Sequence, residues 1–169
     1  MRFFDEFRKY SGRRVITCPE TEEGAAVSVD AIHAAFSGEL RLSDCTRWPE
    51  RAECAQLCLA QIAESPEGCL VRSIVTSWYA DKSCVCCGRP ISKIAWHEAP
   101  PAILKRDGTS CEWKDVPVQD LPRLFETSYP LCWYCNNVKE LERIDPNLIT
   151  RRNRPVEKPE PPLNTRNVY

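Results

Sequence analysis

The chain has 169 residues, 43% of them hydrophobic and 28% charged, which is enough to fold as one domain or two small ones. Its formal net charge is −1, from 23 Lys and Arg against 24 Asp and Glu, and this balance excludes a global basic field that would attract nucleic acid or an anionic membrane. Eleven cysteines are far above ordinary usage, so they carry most of the information about function.

The N-terminal part of the sequence predicts helices around a small group of strands. Aromatic residues recur on one side of a predicted helix over residues 2–10, and this face would either pack on the chain's own core or dock onto a partner. Residue composition then predicts strands over 14–17, 26–32 and 40–42. Prolines open two further predicted helices, over 49–64 and 66–79, and the second has the apolar spacing of a core helix.

The C-terminal half predicts shorter elements. They are a strand over 90–96, a hairpin of residues 103–104 and 111–113, a helix over 120–127, and a helix from Cys135 to just before Pro146. The hairpin depends on Asp107-Gly108, which is a strong turn signal between two apolar runs.

These elements predict a small, cysteine-rich α+β protein built from two modules and a tail. We assign an N-terminal α+β module to residues 1–80, a second module to 81–150 and a proline-rich tail to 151–169. The tail has four prolines, and five basic and two acidic residues give it a charge of +3. It has few residues able to build a core, so we expect an extended arm that binds a partner.

The chemical role of the cysteines depends on whether the protein lies in an oxidising or a reducing compartment. No stretch approaches the ~20 apolar residues of a membrane span. Charged residues interrupt the N-terminal segment, so no secretory signal is predicted. We therefore expect a cytoplasmic location, where thiols stay reduced and cysteine clusters usually hold metal. The odd number of cysteines also argues against a simple disulfide framework.

Two C-x2-C pairs form the clearest motif. Cys84 and Cys87 are one pair, Cys132 and Cys135 are the other, and residues 88–131 lie between them. Each pair can turn two thiolates toward one ion while backbone amides hydrogen-bond the sulfurs, and two such turns complete the four-cysteine shell of a structural zinc site. The second pair lies where a helix is predicted to start, and the helix dipole favours thiolate there.

This half of the chain resembles the HNH-type treble clef. The matching positions are Cys84-x2-Cys87-Gly88, His97 and Cys132-x2-Cys135-Asn136-x2-Lys139, so the resemblance covers residues 84–139. It implies a treble-clef or zinc-ribbon-like scaffold, and in the family a histidine after an acidic residue activates water beside a divalent metal. Here Trp96 stands where Asp is expected, and no histidine follows Cys135. We therefore expect no catalysis by His97 and no nuclease activity.

Further cysteines upstream predict a second four-cysteine site. Cys54 and Cys58 are four residues apart on the predicted helix over 49–64, so they would share one face. Cys45 lies just before that helix and Cys18 ends a predicted strand, so all four thiolates could converge. The alternative is that these are buried free cysteines. We interpret Cys69 as a core residue, although it could replace a member of the set.

The sequence leaves more than one possibility for the bound metal and for the function. Four-cysteine shells hold zinc, a single iron or iron–sulfur clusters, and we favour two zinc ions because the spacings do not match ferredoxin runs. We expect a zinc-stabilised, non-catalytic interaction protein or accessory subunit of a larger complex, with a protein partner bound through the tail 151–169 or the helix over 2–10. The alternatives are a rubredoxin-like or iron–sulfur electron carrier and a nucleic-acid-binding or degenerate HNH-type nuclease module. A nucleic-acid partner is not expected.

Overall fold

The computed structural model describes residues 2–50, 53–91 and 94–147. In these residues the elements are α1 (Arg2–Tyr10), β1 (Arg13–Thr17), β2 (Gly24–Val29), α2 (Ala31–Ser37), β3 (Leu42–Cys45), α3 (Leu59–Glu64), α4 (Val71–Tyr79), β4 (Ala102–Leu104), β5 (Ser110–Glu112), α5 (Leu121–Thr127), β6 (Tyr129–Leu131) and α6 (Trp133–Ile144). The strands form two antiparallel sheets, in the orders β1-β2-β3 and β5-β4-β6. The α+β class is confirmed, and the predicted tail over 151–169 lies outside the described residues.

The first sheet covers the N-terminal core. Arg13 pairs with Ser28 and Thr17 with Gly24, so β1 and β2 are in register over their whole common length. β2 is built of small and β-branched residues and is buried along most of its length, which fits a central strand. Two cysteines, Cys45 at the end of β3 and Cys58 just before α3, are buried in this core.

Helix α2 replaces the end of the predicted strand over 26–32. Asp30 is the reason, because its carboxylate accepts the backbone N–H of His33 at 2.9 Å and so caps the first turn of the helix. Gly38 ends the helix with φ at 74°, a left-handed conformation that favours glycine. The chain therefore turns into a helix at Ala31, and the next strand begins at Leu42.

The predicted helix over 49–64 is wrong over most of its length. Only Leu59–Glu64 is helical, and the described residues from Thr46 to Cys58 form no helix or strand. Gln56 has φ at 55°, outside the right-handed helical region, and its side-chain oxygen accepts the backbone N–H of Leu42 at 2.9 Å. A tertiary hydrogen bond thus fixes this segment in a non-helical form, and Cys54 and Cys58 do not share a helix face.

Other predicted boundaries also shift. The core helix predicted over 66–79 begins at Val71, after a turn. The predicted strand over 90–96 does not form in its described residues, which make only the isolated bridges Ser83↔Pro90 and Ala95↔Ala99. The helix predicted over 2–10 and the hairpin at Asp107-Gly108 are confirmed.

A buried arginine fastens the end of α1. Arg14 is 0% exposed, and its guanidinium donates hydrogen bonds to the carbonyls of Lys9 at 2.6 Å, Tyr10 at 2.7 Å and Gly12 at 2.8 Å. It also reaches the carbonyl of Pro66 at 3.3 Å. These carbonyls include the last ones of α1, which have no partner within the helix, so one side chain both caps the helix and joins it to the turn before α4.

The second core lies under the C-terminal sheet. Helix α4 contributes Tyr79, whose hydroxyl donates to the carbonyl of Ala102 at 2.7 Å, and Trp78, whose indole N–H donates to the carbonyl of Phe125 at 3.0 Å. The rings of Trp78 and Phe125 stack with centroids 4.5 Å apart. This core includes Cys84 and is flanked by Cys132 and Cys135, so it positions the cysteine pairs.

Exposed surfaces are also informative. Helix α1 packs on α2, with the Phe3 and Phe36 rings 4.8 Å apart, and it buries Tyr10 but leaves Phe4 exposed.

No helix among the described residues is long and apolar enough to cross a membrane. The division of the chain at residue 80 stays a prediction, although α4 packs into the second core together with elements that follow it.

Candidate metal centre

The two C-x2-C pairs converge on one point. The Sγ atoms of Cys84, Cys87, Cys132 and Cys135 all lie within 4.8 Å of one another, and those of Cys87 and Cys132 are 3.7 Å apart. Zn–S bonds of ~2.3 Å in a tetrahedron place neighbouring sulfurs about 3.8 Å apart. The spacing therefore suits a single metal ion bound by four sulfurs, as the sequence predicts.

The first pair lies on a closed turn. The N–H of Cys84 donates to the carbonyl of Arg89 and the N–H of Gly88 returns to the carbonyl of Cys84, both at 2.8 Å. Gly88 has φ at 69°, a left-handed conformation that the turn requires. This local hydrogen bonding holds the first two candidate ligands close together.

A hydrogen bond to β6 aligns the first turn with the second pair. The N–H of Val85 donates to the carbonyl of Pro130 at 2.9 Å, and Pro130 lies two residues before Cys132. Sequence reasoning missed this contact, because a backbone carbonyl occurs at every residue and gives no sequence signal. It explains why two turns so distant in the chain meet.

The second pair forms the start of α6. Cys132 is the N-cap residue, and its sulfur accepts the backbone N–H of Cys135 at 3.5 Å. The helix begins at Trp133, two residues before the predicted start. Free amides and the positive end of the helix dipole face the sulfurs here and act against burial, which opposes their ionisation.

The four thiols do not ionise equally. Burial opposes ionisation of Cys84, but hydrogen bonds from neighbouring backbone N–H groups, that of Cys132 first, outweigh it and lower the pKa of this thiol to about 6. Burial and then the closeness of the other thiols raise the pKa of Cys135, and burial raises the pKa of Cys132. Four thiolates at this spacing repel one another, so a divalent cation is needed before all four ionise together.

The upstream cysteines surround a separate small cavity. Cys18, Cys45, Cys54 and Cys58 all line a space of about 20 Å³, whereas Cys69 does not line it and donates to the carbonyl of Ser65 instead. Burial raises the pKa of Cys58 to about 11, and the other three thiols add to this effect. In the described part of the chain, only the C-x2-C cluster has its candidate ligands within 4.8 Å of one another, so metal binding upstream stays a prediction.

His97 is exposed and takes part in no cluster of candidate ligands in the described residues. Its neighbour Trp96 packs edge to face on Trp113, with ring centroids 5.2 Å apart, so that position serves packing. The four-cysteine cluster is seen, but no family identification, HNH-type or other, is supported. The chain matches no family model, no curated protein and no solved structure.

Proposed function

We propose that the chain binds zinc at the C-x2-C cluster and that this ion fixes a treble-clef-like module used for protein interaction. The observation that carries the proposal is the convergence of four sulfurs within 4.8 Å. Four thiolates fill a tetrahedral shell and leave no open position for substrate, so the ion would be structural, not catalytic. A second zinc ion, as the sequence predicts, would need the upstream cysteines.

The C-terminal elements support a role for the ion in folding. The strands β4, β5 and β6 have three residues each, which is short for an independent sheet. Helix α6 has 12 residues, of which none is fully buried and only the five over 135–139 are half-buried. An isolated helix of this length is marginal in water. Its attachment through Cys132 and Cys135 to a metal would therefore supply free energy that packing does not.

The outer face of α6 supports an interaction role. Four large apolar residues of this helix are exposed, namely Trp133, Tyr134, Leu141 and Ile144. Because a helix turns by about 100° per residue, these four lie on one side of α6. An apolar stripe of this kind is typical of a surface that a partner covers. We therefore propose a non-catalytic accessory subunit of a larger cytoplasmic complex, held in shape by zinc.

One experiment tests the metal and the partner together. The unchanged chain, Cys87→Ser, Cys86→Ser and Leu141→Glu would each be purified from cells of the native source and analysed for bound metal and co-purifying protein. We expect Cys87→Ser to lose about one zinc equivalent, because it removes one thiolate ligand. Cys86→Ser is the matched control within the same turn, and it should keep all of its metal.

The partner has its own readout in that experiment. Leu141→Glu should keep its metal and lose the partner that the unchanged chain retains, because a charge is placed on the apolar stripe. Unchanged metal content in Cys87→Ser would refute the site. Bound iron, visible as colour, would instead favour the electron carrier. Equal partner recovery with Leu141→Glu would refute the role of α6 in binding.

A further inference from the structure

The cavity lined by the upstream cysteines is unusual in its composition. Thirteen residues line it and four of them are cysteines, whereas 11 cysteines in 169 residues would put about one there by chance. The four come from three separate segments: Cys18 follows β1, Cys45 ends β3, and Cys54 and Cys58 belong to the connection over 46–58. Packing alone does not explain why thiols from three parts of the chain line one cavity.

Backbone amides in this region already point at the sulfurs. The N–H of Arg47 donates to Cys45 Sγ at 3.5 Å, and the N–H of Gln56 donates to Cys54 Sγ at 3.3 Å. The bond from Cys135 N–H to Cys132 Sγ in the C-x2-C cluster is of the same kind and length. A neutral thiol is a weak acceptor, whereas a thiolate bound to metal is a strong one.

Backbone strain concentrates beside the cysteines. Three non-glycine residues of the described chain have positive φ, namely Glu22, Gln56 and Asp81. They lie close in sequence to Cys18, Cys54 and Cys84 respectively. Such conformations cost free energy and persist where the surrounding structure enforces them, which is common at functional sites. The upstream group shares this feature with the C-x2-C cluster.

One polar group at the cavity lacks a partner. Arg47 Nε is buried and has no hydrogen-bond partner among the described residues, although the other two nitrogens of this guanidinium pair with Glu23 at 2.6 Å and Glu50 at 3.5 Å. Thr21 also lines the cavity, and its side chain hydrogen-bonds Cys18. Buried donors without acceptors are rare in proteins. A cluster of four thiolates around a divalent ion carries a net charge of −2, so it would offer an acceptor to Arg47 Nε.

We propose that Cys18, Cys45, Cys54 and Cys58 bind a second zinc ion. Thiolate sulfur selects zinc among the common divalent ions, and four of them match its tetrahedral preference. The cavity has room for about one water molecule, and the sulfurs must approach one another to form ~2.3 Å bonds. The connection over 46–58 has no helix or strand among its described residues, so a shift of its two cysteines toward an ion would break no hydrogen bond within a helix or sheet there.

This ion would give each core its own metal. It would join the end of β1 to the end of β3 and to the segment before α3, and so add to the bonds from Leu42 N–H to Gln56 and from Trp48 N–H to the Cys45 carbonyl and to the hydrophobic contacts of this core. Connections of this length without regular structure are uncommon in compact domains and usually have a function. Here that function is to supply two of the four ligands.

The test is the zinc content of the purified full chain and its variants. The unchanged chain should bind two equivalents, and Cys54→Ser, and separately Cys45→Ser, should bind one. Cys69→Ser is the matched control and should bind two, because Cys69 does not line the cavity. One equivalent in the unchanged chain, or no loss of metal in Cys54→Ser, would overturn the proposal. The first site is scored separately by Cys87→Ser, so failure of either site is distinguishable from failure of the other.

A second measurement uses the unchanged chain, so it tests the proposal even if the cysteine variants fail to fold. The zinc-loaded full chain would be treated with a thiol-alkylating reagent, with and without a strong chelator, and each cysteine followed by mass spectrometry. The two half-buried upstream thiols, Cys18 and Cys54, should be protected only when zinc is present, and the exposed Cys86 should react in both cases. Equal reaction of Cys18 and Cys54 with and without zinc would overturn the proposal.

Discussion

The C-x2-C cluster and the upstream cysteines are two groups of four thiols that differ in how closely their sulfurs already approach one another. The first has sulfurs within 4.8 Å, on a closed turn and a helix start that short-range hydrogen bonds define. The second has its thiols around one cavity but drawn from segments that only the folded sheet brings together. The comparison indicates that local turns bring four sulfurs together without an ion, whereas the proposed upstream site needs its sulfurs to move closer when zinc binds.

Removal of metal should have the largest effect on stability, and the two halves of the chain should respond differently. A strong chelator should release α6 and the turn at Cys84–Gly88, since no residue of α6 is fully buried and zinc binding supplies on the order of 10 kcal/mol in such sites. The β1–β2 ladder, whose residues Ala25 and Val27 are fully buried, should keep more of its amide protection. Hydrogen exchange followed by mass spectrometry measures both. If α6 amides are equally protected with and without chelator, the C-terminal half does not depend on the ion.

A substitution of Arg14 tests what stabilises the N-terminal region, where this buried charge holds α1 in place. Arg14→Met should lower the free energy of unfolding by about 3 kcal/mol, because it leaves the buried carbonyl of Tyr10 and the part-buried carbonyls of Lys9 and Gly12 without this donor. Arg13→Met is the matched control, since Arg13 is exposed and makes only a surface ion pair with Asp44 at 3.3 Å. Its loss should cost less than about 1 kcal/mol. Urea unfolding of the metal-loaded proteins gives both values, and equal effects at the two positions would contradict this account of Arg14.

Two glycines with similar backbone conformations give the smallest expected effect and the most specific test of the first metal turn. Gly88 and Gly38 have φ at 69° and 74°, and neither has an atom within 4 Å of an added Cβ. Alanine should therefore cost about 1 kcal/mol of strain at each position. In Gly88→Ala that strain falls on the first metal turn, so zinc affinity should drop about fivefold. Gly38→Ala should lose stability without losing affinity, and competition with a chromophoric chelator measures the difference. An equal loss of affinity in both would show that the turn at Gly88 does not hold the ligands.

The accuracy of the sequence-based predictions follows the range of the interactions involved. The hairpin at Asp107-Gly108 and the C-x2-C cluster are confirmed, because each depends on turn chemistry within a few residues. The helix over 49–64 was wrong, because the bond between Gln56 and Leu42 joins residues far apart in the chain. Helix α2 was missed although Asp30 is a capping residue, since the β-branched residues before it favour a strand.

The sequence by itself determined the four cysteines of the first cluster and the α+β class, because C-x2-C spacing and local residue preferences need no knowledge of the rest of the fold. Only the tertiary structure decided that Pro130 aligns the two pairs and that Arg14 is buried against the end of α1. It also decided that four upstream thiols share a cavity without sharing a helix. These features depend on which distant segments meet, and that follows from packing the whole chain into one structure with its polar groups satisfied.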